Sequence, residues 1–168
     1  MPETLYPALP DALDARIEGL LRRVCDRGLT LATAESCTGG LVASLLTDVT
    51  GCSHAFDRGF VTYTDAAKHE LLGVPTVLLE SPGAVSEPVA RAMAEGAIER
   101  SAADIAVSVT GYAGPGGPES IPGLVHFASA MREGKTLHRR CRFTVTDRPG
   151  VRLACVQMVL EMLEERLE

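Results

Sequence analysis

The sequence predicts an α/β protein, a three-layer α/β/α sandwich with a mixed sheet that includes one antiparallel hairpin. Three observations carry this expectation. Short apolar runs of strand length, Leu29 to Ala34 and Asp104 to Val109, stand between longer stretches with apolar residues at helical spacing. Helical patterns lie before, between and after these runs, which places helices on both faces of a sheet. Near the end, two strand-like segments flank Arg132-Glu133-Gly134-Lys135, a hairpin signal that demands an antiparallel pair.

The elements follow in order. Asp11 to Arg27 carries Leu13, Ile17, Leu20, Leu21 and Val24 on one helical face, with Asp11 as N-cap and Gly28 as stop. The first strand then runs into Glu35-Ser36-Cys37-Thr38-Gly39-Gly40 and a helix from Leu41 to about Asp48. Phe56 to Tyr63 reads as a second strand, and Asp65 caps a helix that ends at Leu72 before Gly73 and Pro75. Ser81 to Val85 reads as loop. Ser86 caps the next helix, with Glu87 and Pro88 in its first turn, and that helix ends near Ser101.

The strand from Asp104 reaches Thr110-Gly111, and a glycine- and proline-rich loop continues to Gly123. Leu124 to Met131 and Thr136 to Phe143 form the hairpin; His138, Arg140 and Arg142 mark a solvated face at the sheet edge. Asp147 opens a last helix, with Val151, Cys155, Met158, Val159, Met162 and Leu163 facing inward.

Composition narrows the function classes. The 168 residues are 46% hydrophobic and 23% charged, which fits one soluble domain spanning 1–168. Aromatics make up 4% and tryptophan is absent, so the core must be aliphatic and alanine-rich. A net charge of −6 argues against a nucleic-acid partner, which requires a basic face. Five scattered cysteines without a Cys-x-x-Cys pair read as free thiols in a reducing compartment. Met1-Pro2-Glu3-Thr4 does not open a signal peptide, and no apolar run reaches membrane-spanning length. The expectation is a cytoplasmic protein without a membrane partner.

The turn after the first strand is the candidate for chemistry. It exposes Ser36 and Cys37, two potential nucleophiles, at the carboxyl edge of the sheet, beside the N–H groups of a helix start. A serine needs a base. None of the four histidines, His54, His69, His126 and His138, stands in a setting like a catalytic triad. Tyr63 at a strand end and Lys68 in the first turn of the next helix can reach the same edge, and a desolvated lysine can act as a base. Taken singly, each residue has a structural reading too: Ser36 as a helix cap, Cys37 as a small buried residue, Tyr63 as a half-buried strand residue, Lys68 as a surface residue. Tyr63 and Lys68 lack the one-turn spacing and Gly-x-Gly-x-x-Gly turn of short-chain dehydrogenases, and no Gly-Lys-Ser/Thr follows a strand, which excludes a P-loop.

Four motifs together resemble the CinA C-terminal domain family in order and spacing: Ala34 to Gly40, Gly59 to Tyr63 with Lys68, Gly83 to Glu87, and Thr110 to Pro115. The resemblance extends from about Leu13 to Leu163. It implies an amidase that converts nicotinamide mononucleotide and water to nicotinate mononucleotide and ammonia, with no metal or other cofactor, commonly as a homo-oligomer. Ser36 matches the family's catalytic serine, and Tyr63 and Lys68 match its tyrosine and lysine. On that reading Cys37, Thr38, Gly39 and Gly40 bind substrate at the helix start, and the N–H groups from Cys37 to Gly39 receive the oxyanion. Thr110, Gly111, Ala113 and Gly114 shape the nucleotide pocket, and Arg148, with Arg58 behind it, clamps the phosphate. The chain departs from the family at Tyr112, where isoleucine is usual, and at Ile121-Pro122-Gly123, where a Lys-Pro-Val-Gly run is shortened. It also carries Thr146-Asp147-Arg148 in place of Gly-Asp-Arg. These departures bear on substrate choice and leave two alternatives: a non-catalytic nucleotide-binding module of the same fold, or an amidase for another small amide.

Overall fold

The computed structural model describes residues 9–145 and 147–168. The expectation drawn from Met1 to Thr4 and the Thr146 departure therefore lie outside the described residues.

Five strands form one sheet in the order β2-β1-β3-β4-β5. They are β1 (Leu31–Glu35), β2 (Phe56–Val61), β3 (Ile105–Gly111), β4 (Leu124–Met131) and β5 (Leu137–Arg142). β1 pairs in parallel with both β2 and β3, whereas β3–β4 and β4–β5 are antiparallel. The sheet is mixed, as expected, but antiparallel pairing begins one strand earlier than the hairpin alone required. The long 112–123 connection makes this possible. Its base closes as an extension of the ladder, with Tyr112 N–H on the Leu124 carbonyl and Gly123 N–H on the Tyr112 carbonyl.

Among the described residues six α-helices accompany the sheet, with a 3-10 turn at Ser53–Ala55: α1 (Asp11–Asp26), α2 (Leu41–Leu46), α3 (Asp65–Leu72), the single turn α4 (Thr76–Leu78), α5 (Glu87–Glu99) and α6 (Arg148–Arg166). The segment read as loop around Ser81 is helical turn from Thr76 to Gly83, interrupted where Ser81 is extended. Among the described residues no helix is long and apolar enough to cross a membrane.

Strand side chains alternate between faces, and here the two faces differ in size. Leu31, Ile105, Val107, Val109, Val125 and Phe127 meet α1, α2 and α6 in one cluster. Ala32, Ala34, Ala106, Ala128 and Ala130 meet α5 and the end of α3 in another. The alanine face leaves room for α5 to lie against the sheet, and the Ser108 hydroxyl donates to the Ala90 carbonyl across that contact at 2.6 Å. The five α1 positions chosen by spacing are its buried residues. On α6, Met158 is only partly buried, and Val156 and Leu160 join the buried face.

Gly96 marks the closest approach on the alanine side. A Cβ there would run into the Leu72 carbonyl oxygen and the backbone behind it, which cannot yield without moving the end of α3. Gly96→Ala is therefore expected to lower stability by about 3 kcal/mol through overpacking, despite alanine's better helix propensity. Urea denaturation checks this, and an unchanged or raised midpoint would refute the packing argument.

Strand order positions the site. From β1 the chain goes to β2 on one side, and β3 lies on the other, so the direction of winding reverses between β1 and β3. In α/β sheets the crevice at the carboxyl ends of two such strands is a preferred ligand site. β1, β2 and β3 are parallel, so Ser36, Tyr63 and Thr110–Gly111 come to the same edge.

Candidate active site

The turn after β1 is held from three sides. Ser36 N–H donates to the Val109 carbonyl at 3.0 Å, and Thr62 N–H donates to the Glu35 carbonyl at 2.7 Å, which ties the turn to β3 and β2. Gly39 and Gly40 both take positive φ, 59° and 96°, so the chain can reverse into α2. The third tie is Glu35, to which the sequence reading gave no role. Its carboxylate is buried and accepts from Gly40 N–H (3.1 Å), Val42 N–H (3.1 Å) and Ala43 N–H (2.8 Å). Glu35 thus does the capping that Ser36 offered in the sequence. The available signal was an acid just ahead of a helix start. Glu35→Gln keeps the shape but loses the charge, and is expected to destabilise the protein by about 1–3 kcal/mol. Thermal denaturation measures it; no change in midpoint would show that the carboxylate is dispensable.

With the capping done by Glu35, the Ser36 side chain is free for another contact. Ser36 is 8% exposed and its Oγ lies 3.1 Å from Lys68 Nζ. Lys68 enters from the first turns of α3. That helix is capped by the Thr64 hydroxyl, which accepts from Ala67 N–H at 3.1 Å; Asp65, the expected cap, is the first helical residue instead. Lys68 is 1% exposed. Its other contacts are neutral carbonyls, Thr62 at 3.0 Å and Tyr63 at 3.4 Å. Burial lowers its pKa, opposed by the negative charges of Asp65 and Cys37.

Tyr63 contributes through its backbone. The residue is 60% exposed, and among the described residues its hydroxyl makes no hydrogen bond to Ser36 or Lys68. The ring lines the cleft, where it can meet a ligand.

The cleft itself has a volume of about 260 Å³. Ser36, Cys37, Tyr63 and Lys68 line it together with Thr110, Gly111, Ala113, Gly114 and Arg148; Asp65, Ala84, Val85, Tyr112, Pro115 and Gly116 complete the wall. Thr110 braces that wall: its hydroxyl donates to the Ala84 carbonyl at 2.8 Å. Gly111 has to be glycine, since a Cβ would strike Leu124 and Val125 on β4.

Thr38, Gly39 and Gly40 do not line the cleft. Gly39 N–H is taken by the Ser36 carbonyl and Gly40 N–H by Glu35. Among the described residues the N–H group of Cys37, which is on the cleft wall, donates to no other residue, so the oxyanion role expected of the helix start narrows to Cys37. Arg58 also stands elsewhere: its guanidinium bonds Asp57 and the Arg100 carbonyl and does not reach the cleft. Arg148, the first residue of α6, is on the cleft wall and makes no ion pair among the described residues. Sequence reasoning missed Arg152, one turn further along α6. Its Nε donates to the Cys37 carbonyl at 3.0 Å, and its guanidinium lies against Gly39.

The histidines stay outside the cleft. His138 is not on a wholly solvated face: its ring stacks on His126, with Nε2 3.0 Å from His126 Nδ1.

These features define a three-layer α/β/α protein with a buried Ser–Lys pair at a switch point of its sheet. Residues 13–167 match the CinA C-terminal domain, and the chain belongs to that family. It is 49% identical over 139 residues to a nicotinamide-nucleotide amidohydrolase PncC of Escherichia coli K12, covering 82% of this chain and 84% of the relative. It is 58% identical over 115 residues to a CinA-like protein of Akkermansia muciniphila, covering 67% of this chain and only 28% of that longer relative. Its fold matches the crystal structure of competence/damage inducible protein CihA from Agrobacterium tumefaciens with a TM-score of 0.84, at 48% identity over 96% of this chain and 98% of the other.

Proposed function

We propose that this protein hydrolyses the carboxamide of nicotinamide mononucleotide to nicotinate mononucleotide and ammonia. The observation that carries the chemistry is Lys68 Nζ, buried 3.1 Å from Ser36 Oγ among neutral acceptors. The substrate comes from the PncC relative, whose length this chain largely covers.

A neutral amine has two N–H donors and one lone pair. The Thr62 and Tyr63 carbonyls engage the donors, which turns the lone pair toward the Ser36 hydroxyl. Ser36 Oγ attacks the carboxamide carbon as Lys68 takes its proton. The carbonyl oxygen becomes an oxyanion held by the Cys37 N–H group, a donor contributing roughly 3 kcal/mol in the transition state. Lys68 then protonates the departing nitrogen, ammonia leaves, and Ser36 remains acylated. Water, deprotonated by Lys68, attacks the ester and releases the carboxylate. Thr110 and the 111–116 wall seat the nucleotide, Arg148 holds its phosphate, and the Tyr63 ring packs on the ligand. The homo-oligomer belongs to the same proposal.

The test is ammonia release from nicotinamide mononucleotide by the purified protein. Turnover that a chelator leaves undiminished is the expected result. Thermal stabilisation by pyridine nucleotides without turnover would instead identify a binding module. Tyr112 on the cleft wall favours one second reading, an amidase for another small amide, which a substrate panel scored for ammonia would reveal.

A further inference from the structure

The turn that presents Ser36 is tied at its ends by backbone. Ser36 N–H donates to the Val109 carbonyl at 3.0 Å, Gly39 N–H to the Ser36 carbonyl at 3.1 Å, and Leu41 N–H to the Thr38 carbonyl at 3.1 Å. Its middle is held differently. The Cys37 carbonyl belongs to the central peptide of the Ser36–Gly39 turn, the unit that differs in orientation between turn types whose ends are bonded alike. Among the described residues its one donor is Arg152 Nε, at 3.0 Å, from 115 positions further along the chain.

Arg152 is half-buried behind the turn and does not line the cleft. A Cβ on Gly39 would stand 3.2 Å from Arg152 Nη2, so the guanidinium covers the far side of the turn. Among the described residues it makes no ion pair. A partly desolvated charge is costly without a carboxylate partner. Its field, uncancelled by a partner, favours negative charge beside the turn.

We propose that Arg152 is a positioning residue for acyl transfer at Ser36: by gripping the Cys37 carbonyl it fixes the turn that aims both Ser36 Oγ and the Cys37 N–H. This role rests on the Ser36 mechanism of the amidase reading.

The demand is geometric. Ser36 Oγ must meet the carboxamide carbon while the oxyanion reaches the N–H of the very next residue. A displacement of about 1 Å between reacting groups costs about 10²-fold in rate. Without Arg152 the bonds at Ser36, Gly39 and Leu41 remain, so the turn still forms, but its central peptide loses its hold. Arg148 lies one turn earlier on the same face of α6 and does line the cleft. The two arginines therefore divide the work: Arg148 acts on binding, Arg152 on turnover.

The experiment measures kcat and KM for ammonia release in Arg152→Ala and Arg152→Lys, with urea midpoints alongside. Arg152→Ala is expected to lose about 10²-fold in kcat at a near-parental KM, and added guanidinium chloride at low concentration should restore part of it. Arg152→Lys keeps a charge but loses the Nε–H and the planar fork, so a loss of about tenfold is expected. Arg148→Met should show the opposite split, a raised KM. A kcat within about twofold of the parent in Arg152→Ala, or a loss carried by KM alone, overturns the proposal. If Arg152→Ala does not fold, Arg152→Lys decides, and parental kcat in that variant overturns it.

A second readout does not depend on the nucleotide. With p-nitrophenyl acetate, Ser36 Oγ bonds to the acetyl carbon, the ester C–O bond breaks, nitrophenolate leaves with the electron pair, and Lys68 takes the hydroxyl proton. Mass spectrometry locates the acetyl group on Ser36, and nitrophenolate release gives its rate. That rate should fall in both variants by the same factors as kcat. A parent that is acetylated at Ser36 but releases no ammonia refutes the amidase reading alone, and the acetylation rates then decide the role of Arg152. A parent that does neither refutes both.

Discussion

Ser36→Ala is expected to reduce ammonia release by about 10⁴-fold or more, the loss typical when a covalent nucleophile is deleted from a unit that acts together. The fold should be undisturbed, because the Ser36 ties to β3 and to Gly39 run through its backbone, and the helix start is capped by Glu35. Substrate affinity should therefore persist while turnover disappears, which a binding titration beside a turnover assay would separate. Cys37 adjoins Ser36 in the same cleft, so the comparison with Cys37→Ala decides the nucleophile. Should Ser36→Ala keep its activity while Cys37→Ala loses it, the serine mechanism is wrong and the thiol performs the attack.

Lys68→Met should match that loss in activity, for a different reason. It keeps the length of the side chain and removes the base. Lys68→Arg should be equally inactive, since a guanidinium holds its charge and cannot take the Ser36 proton. The parent enzyme should gain rate as pH rises through the lowered pKa of Lys68, and both variants should lack that limb. Stability gives an independent check. Burial holds the folded pKa of Lys68 below its ordinary 10.5. Beneath the folded value both states are protonated and the native state bears the full penalty of a buried charge. Between the folded value and about 10.5 the unfolded chain keeps a proton that the native state has released, so parental stability rises with pH. The stability of Lys68→Met relative to the parent should accordingly fall as pH rises through that window. Urea denaturation at successive pH values measures the difference; a constant difference would mean that Lys68 titrates at its ordinary value and is not tuned as a base.

Much of the fold was legible because it depends on local periodicity. The α1 stripe, the β4 limits and the helix opened by Asp147 follow from the spacing of apolar residues and from cap chemistry within a few positions. Around Ser81 the reading failed for a local reason of its own: Pro75, Pro82 and Gly83 punctuate the segment like a loop, yet most of it forms helical turns, with Leu78 and Leu79 half-buried against the alanine-side cluster. The antiparallel turn at β3–β4 was not legible at all, since a long glycine-rich connection permits either direction.

The sequence by itself determined that a polar turn with Ser36 and Cys37 ends a buried strand, and that Tyr63 and Lys68 end up at the same edge. Only the tertiary structure decided what each of them does. Lys68 becomes a candidate base because Ser36, Thr62 and Tyr63 surround it, and the contact with Ser36 spans 32 positions of chain. Tyr63 acts there by its carbonyl, and Glu35 takes the helix cap, because hydrogen-bond direction is fixed by where backbones pass one another. Residue types carry the chemistry that is possible. Desolvation and partner geometry, which belong to the folded chain alone, select which of it is available.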